Sequence, residues 1–240
     1  MLTLALAGCG GDPLDRLAEG GRGRAEAALA GGLVRLEDGT VVRLAGVNVP
    51  GRGEPGWAEA RAELAEAVGG RSVSMLHGGV REDGFGRSVA HVRTTGGRRW
   101  VQGALLDAGY ARVRTSYDDR ALAREMLERE ARARVANKGL WTSAEWRVRL
   151  PGEAEPGFSL VEGRLAQSAG MSAGPPLVFQ RGGLRLELSP RAARDMASAG
   201  IAPADLAGRV VRVRGTVRSG PRGPTLRLDH PEQIEVLASR

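Results

Sequence analysis

A chain of 240 residues with 42% hydrophobic residues is long enough to bury one core or two smaller ones. Its formal charge of +7 and pI near 10.9 admit an acidic partner such as a nucleic acid or an anionic membrane. A single cysteine excludes an intrachain disulfide, and 4% aromatic residues argue against an extensive base-stacking surface. Lys138 is the only lysine, so the charge is nearly all arginine. Abundant Arg, Ala and Gly also fit a coding bias toward GC-rich codons, so the charge alone does not choose a partner.

The N-terminus, MLTLALAGCGGD, is an apolar run ending in Leu6-Ala7-Gly8-Cys9. It resembles a bacterial lipobox, in which the cysteine is acylated. No basic residue precedes it and the run is short, as a start codon placed too far downstream would produce. The expectation is a truncated signal and lipobox segment over 1–20, lipidation at Cys9, and a protein of the bacterial envelope or a secreted one. The alternative is a chance apolar start on a cytoplasmic protein. No other stretch approaches the ~20 apolar residues of a membrane span.

Residues 18–32, AEGGRGRAEAALAGG, read as a small, flexible linker with one weak strand or helix at most. LVRLEDGTVVRLAGV then reads as a β-hairpin turning at Asp38-Gly39. GWAEARAELAEAV has helical spacing, with Ala58, Ala62 and Ala65 on one side and Leu64 and Val68 close by. RSVSMLHGG and GRSVAHVRT are strands around VREDGF. VQGALLDAGYARV and DDRALAREMLEREARARVANKG are helices, the second starting at an Asp cap and stopping at Asn137 and Gly139. LPGEAEPG is a linker.

From about 156 a second β-rich part follows. GFSLVEGRLAQ, PLVFQRG and GLRLELS are strands, and SPRAARDMASAG is a helix capped by Ser189 with Pro190 in its first turn. GRVVRVRGTVRSG and PTLRLDHPEQIEVL complete five strands with a helix between the third and fourth, the order of an OB fold. Val211 and Val213 face one way, Arg212 and Arg214 the other. The arginines are either a basic strand along a nucleic-acid backbone or the solvated face of a barrel.

Residues 33–141 resemble the staphylococcal nuclease (thermonuclease) family. VRLEDGTVVRLAGVNVP is similar to its first hairpin and the strand entering its active site, and REDGFGRSVAHV to its Asp-x-Tyr/Phe-Gly-Arg strand. VQGALLDAGYARV is similar to the following helix, and EREARARVANKGLW to the closing helix with its Gly-Leu-Trp end. The later region resembles the OB-like domain that follows a degenerate thermonuclease domain in some bacterial proteins. The fold expected is therefore β-rich α+β with two OB barrels. The first would have five strands and three helices, the second five strands. The expected boundaries are 21–147, a linker over 148–156, and 157–240.

The resemblance implies calcium-dependent cleavage of phosphodiesters, with carboxylates on the metal, a glutamate base and two arginines on the phosphate. The arginines fall on Arg43 and Arg87, and the nucleotide-facing aromatics on Phe85 and Tyr117, with Thr115 at another tyrosine position. The metal ligands fall on Gly32, Asn48 and Val49, and the base on Gly51. Both charged ligands and the base are thus replaced. Loss of a base alone costs on the order of 10²- to 10⁴-fold in rate. Glu54 and Glu59 are the nearest substitutes, and are also ordinary solvated carboxylates. Arg43 and Arg87 either contact phosphate or pair with Glu37, Asp38 or Asp83. His77, His91 and His230 have no metal-ligand spacing and read as surface or hydrogen-bonded strand histidines.

Three readings follow. The first is a non-catalytic module in the envelope that binds DNA, RNA or another polyanion weakly, with no cofactor, and reaches the membrane only through Cys9. The second is an active phosphodiesterase with a relocated metal or base, using calcium. The third is a structural envelope protein that binds another protein.

Overall fold

The computed structural model describes residues 11–166, 177–221 and 223–237. Cys9 lies outside them. The chain forms two compact units. One holds the segment up to Val113 and Asp118–Gly139, the other Arg114–Tyr117 and the segment from Leu140. No helix among the described residues is long and apolar enough to cross a membrane.

The first unit is a closed barrel of β1 (Ala18–Leu29), β2 (Leu33–Leu36), β3 (Val41–Leu44), β6 (Ser88–Thr94) and β5 (Ser72–His77), in that order around the barrel. A two-residue pair, β4 (Val47–Asn48) with β7 (Arg112–Val113), stands apart from it. Three helices belong to this unit: α1 (Trp57–Val68), α2 (Val101–Ala108) and α3 (Ala123–Val135). The expected five strands and three helices are all present.

β1 is the largest correction to the sequence reading. The stretch expected as a linker with one weak strand or helix at most holds a 12-residue strand, paired with β2 on one side and β5 on the other. It begins at Ala18, inside the stretch read as a leader. Its apolar pattern is faint because its small residues admit large partners. A Cβ on Gly20 would stand 1.9 Å from His77 Nε2, and one on Gly23 2.7 Å from Leu36 Cδ1. Ahead of it Leu14 is fully buried in the core, and Asp12 and Asp15 pair with Arg93 and Arg98.

The hairpin turns where expected. Asp38 Oδ1 accepts from Thr40 N at 2.9 Å, and Gly39 adopts φ +88°. α1 buries Ala60, Leu64, Ala67 and Val68, whereas Ala58 and Ala62 face solvent. α2 stops at Ala108 because Gly109 turns left-handed, and the residues expected to prolong it form β7. α3 starts at Ala123 behind Leu122, with no side-chain cap. The expected Asp cap does not form, and Asp119, one of the two aspartates ahead of the helix, is buried and accepts from Gly46 N at 3.0 Å.

The second unit holds a six-stranded sheet, five strands in the order β13-β11-β12-β10-β9 and a sixth, β8, paired with β11. Its strands are β8 (Gly157–Arg164), β9 (Leu177–Val178), β10 (Arg185–Leu188), β11 (Val210–Arg218), β12 (Thr225–Leu228) and β13 (Ile234–Val236). β11 is central, with β8 along nearly its full length and β13 and β12 sharing its other edge. The expected last strand is two strands, since a 3-10 turn at Pro231–Gln233 interrupts it and Pro231 has no N–H to give a ladder. α4 (Pro190–Ser198) begins as expected, with Ser189 Oγ accepting from Ala192 N.

Candidate functional site

The positions expected to hold a metal meet where the end of β1 crosses the Asn48–Gly51 corner. Gly31 N donates to Pro50 O at 2.9 Å, and Leu44 N to Gly32 O at 3.0 Å. A Cβ on Gly32 would stand 3.0 Å from Val49 Cγ2, and one on Gly31 3.9 Å from Gly51 Cα. Asn48 lies in register with Arg112 across β4 and β7. The fold thus gathers Gly32, Val49 and Gly51, but no carboxylate comes with them from those positions. Val49 Cγ2 sits against the space a side chain at 32 would enter, and Gly32 itself has φ +72°. Among the described residues no three of His, Cys, Asp or Glu are placed to hold a metal ion. A hard cation needs several oxygen ligands, with carboxylates to offset its dehydration. These residues do not fit calcium.

Glu54 stands beside the position of the missing base. Its Oε2 accepts from Gly51 N at 2.7 Å, and its own N donates to Gly51 O at 3.0 Å. The same oxygen lies 3.7 Å from where a Cβ on Gly51 would be. Glu59 is exposed in the first turn of α1.

The phosphate side keeps its residues. Arg43 lies on β3 opposite Val89 of β6, two positions beyond Arg87. The alternation of strand side chains places both arginines on one side of the β3–β6 pair. Arg43 is half-buried, and among the described residues no carboxylate is within ion-pair distance of it. Its charge acts at longer range on Asp119, whose carboxyl is pushed up by burial against the opposing pull of Gly46 N–H and Arg43.

Arg87 is differently placed. Its Nε and Nη2 both reach Asp83 Oδ2, at 2.8 and 2.7 Å. Asp83 Oδ1 accepts from the backbone N–H of Phe85 and of Arg87. Arg87 first, then these N–H groups, hold the Asp83 carboxyl below the usual range. Of the carboxylates expected as partners, Asp83 is therefore the one that pairs. Glu37 pairs with Arg24, and Asp38 caps its own turn. Phe85 is 84% exposed, with the Arg87 guanidinium 4.9 Å from its ring centroid.

Tyr117 and Thr115 lie in the segment that groups with the second unit. There the Arg191 guanidinium sits 3.9 Å from the Tyr117 ring centroid, and Thr115 Oγ1 is 3.3 Å from His230 Nε2. Phe85 and Arg87, which lie in contact, both belong to the first unit.

Arg212 and Arg214 require a correction. Neither side chain forms a solvated face or an open basic strand. Arg214 is 2% exposed and reaches Glu235 at 2.6 Å, while Arg212 reaches Glu162 at 2.8 Å and Glu235 at 3.4 Å. β8 and β13 flank β11 and bring these carboxylates into register, Glu162 and Glu235 both opposite Arg212.

Three buried polar groups have roles that the sequence did not announce. Glu130 on α3 accepts from Val113 N at 2.6 Å and so ties α3 to β7. Asp119 holds the turn after β3. His91 is fully buried, with neither ring nitrogen hydrogen-bonded and the Trp100 ring 5.7 Å away. Burial pushes its pKa down to about 4. It is neither a surface nor a hydrogen-bonded histidine, whereas His77 donates from Nδ1 to Val89 O. The signal for His91 was its place in Val89-Ala90-His91-Val92, where both faces of the strand are covered.

Residues 41–143 match the family model described as Staphylococcal nuclease homologue. An uncharacterized 38.1 kDa protein of Capnoides sempervirens is 33% identical over 112 residues, 44% of this chain and 31% of that protein. The probable staphylococcal-like nuclease CAN2 of Oryza sativa subsp. japonica is 32% identical over 102 residues, 42% of this chain and 26% of its own. The corresponding CAN1 protein is 32% identical over 112 residues, 44% and 32% of the two chains. The match spans about a third or less of each relative's length.

Proposed function

We propose that this chain, which carries a staphylococcal nuclease homologue domain at residues 41–143, is a non-catalytic module that binds nucleic acid or a similar polyanion. The observation behind this reading is an asymmetry within one site. The edge formed by Gly32, Val49 and Gly51 brings no metal-binding carboxylate, whereas the neighbouring edge keeps Arg43, Phe85 and Arg87. With no carboxylate of the described residues paired with it, the half-buried Arg43 is open to an anion. Guanidinium suits phosphate oxygens in shape and charge. With Arg87 shared with Asp83, binding is weak and falls steeply with salt.

The test is a labelled single-stranded oligonucleotide titrated in chelator at several salt concentrations. Binding that weakens with salt and drops in Arg43→Ala supports the reading. Binding that is absent at low salt, or indifferent to Arg43→Ala, refutes it.

A second reading, a phosphodiesterase with a relocated base, is favoured by one contact. Glu54 Oε2 stands next to the base position on Gly51. It ranks below the first because a base without a metal or its ligands lacks the charge stabilisation that phosphodiester cleavage requires. We also assign the second unit to the OB-like class, on its strand order, and the whole protein to the bacterial envelope, on Leu6-Ala7-Gly8-Cys9. Palmitate labelling that disappears in Cys9→Ser supports the envelope assignment. A protein that takes up no label in a lipoprotein-processing host contradicts it.

A further inference from the structure

Trp57 opens α1, and Arg61 follows one turn later on the same helical face. The loop before the helix carries Arg52 over the indole, its guanidinium carbon 5.8 Å from the ring centroid. The end of β1 and the turn after it add Ala28, Leu29 and Ala30. Together these six residues line a pocket of about 530 Å³, within the size range of small-molecule sites. No carboxylate is among the lining residues, and neither Arg52 nor Arg61 forms an ion pair with any described residue. The pocket adjoins the crossing described above, since Ala30 precedes Gly31 and Arg52 follows Gly51. Trp57 is half-buried, whereas Trp100, Trp141 and Trp146 are 7%, 6% and 3% exposed.

We propose that this pocket is a nucleotide subsite for single-stranded nucleic acid, with a base against Trp57 and the flanking phosphates on Arg52 and Arg61. The inference rests on the binding function proposed above and extends it to a second place on the same unit. An apolar floor with an accessible indole takes the face of a base, and two cations without acidic partners take the phosphates on either side. A base-paired duplex keeps its bases stacked on one another, so an unpaired strand is the form that fits. Stacking on one aromatic is tolerant of sequence, because every base has a π-face. Arg52 then exchanges its contact with the indole for one with phosphate.

The test uses the full chain in chelator with two labelled strands of equal length, an oligothymidylate and an abasic phosphodiester, read by anisotropy. Tryptophan fluorescence is followed in parallel, since Trp57 is the accessible indole among the described residues. Quenching by oligothymidylate is expected. Trp57→Ala should weaken oligothymidylate binding roughly 5- to 30-fold, as loss of one stacking aromatic does, while leaving the abasic strand unchanged. Arg61→Glu, on the exposed face of α1 and away from its core, should weaken both strands several-fold. If both variants bind both strands like the parent while Arg43→Ala does not, the subsite is refuted and the binding function stands. If the parent binds neither strand, both fall.

Discussion

Arg43 and Arg87 in the first unit, and Arg212 and Arg214 in the second, look alike in the sequence. Each pair is basic and lies on or beside a strand. The structure separates them by their partners. Arg212 and Arg214 are enclosed by Glu162 and Glu235 and serve the sheet. Arg87 is half committed, sharing Asp83 while remaining partly open. Arg43 has a buried carboxylate, Asp119, acting on it only at longer range. Availability for an outside anion therefore rises from Arg214 to Arg43, and sequence alternation does not reveal it. What decides is whether neighbouring strands supply a carboxylate in register.

The largest effect that would sharpen this contrast is on stability. Arg214→Ala removes a buried guanidinium from its partly buried pair with Glu235, and should cost about 2–3 kcal/mol. Arg87→Ala removes a partly exposed pair and should cost ~1 kcal/mol or less. Urea unfolding of both variants checks the ordering. Equal losses would break the comparison.

The first unit buries a titratable group in His91, and here the prediction is a pH dependence. Its folded pKa of about 4 lies below the ordinary value of 6.5. Between those values the unfolded chain binds a proton that the folded chain refuses. The contribution of His91 to stability is therefore complete above pH 6.5 and lost as the pH falls toward 4, by about 3 kcal/mol in all. His91→Leu should flatten the stability profile across that window. An unchanged slope would show that other groups cause the acid sensitivity.

The smallest effect concerns Arg87 itself. Asp83→Asn takes away the charge that occupies its guanidinium, so anion affinity should rise by a few-fold in the variant. Since Arg87 holds the Asp83 carboxyl low, mild acid does not mimic the substitution. A phosphate titration followed by NMR separates the outcomes. Weaker binding in Asp83→Asn would mean that the carboxylate positions Arg87 for its ligand rather than competing with it.

These contrasts also show what the sequence could carry. The β2–β3 hairpin was legible because Asp38-Gly39 dictates its own turn, and the presence of the helices because their apolar spacing is local, whereas the end of α2 and the start of α3 were set by Gly109 and by the burial of Asp119. β1 was hidden because its interactions belong to its neighbours. His77 and Leu36 fill the space that side chains on Gly20 and Gly23 would need. The site was legible position by position through the resemblance, yet its charge state was not. The pairing of Asp83 with Arg87 spans one turn and was among the expected alternatives. The inward turn of Asp119 depends on Gly46, far away in the chain. The enclosure of Arg214 depends on Glu235 on the adjacent strand. Gly32, the most telling departure, precedes the family-matched segment 41–143, and its meaning comes from Val49 lying across from it.

Under the proposed function, the site would grip phosphate without a metal and would not cut. An end-labelled single-stranded DNA incubated with the purified protein in millimolar calcium, and in parallel with chelator, tests it most directly. The expected result is a retained, salt-sensitive complex in both conditions and no product above the protein-free control. Product that requires calcium, vanishes with chelator and is lost in both Glu54→Ala and Arg87→Ala would contradict it.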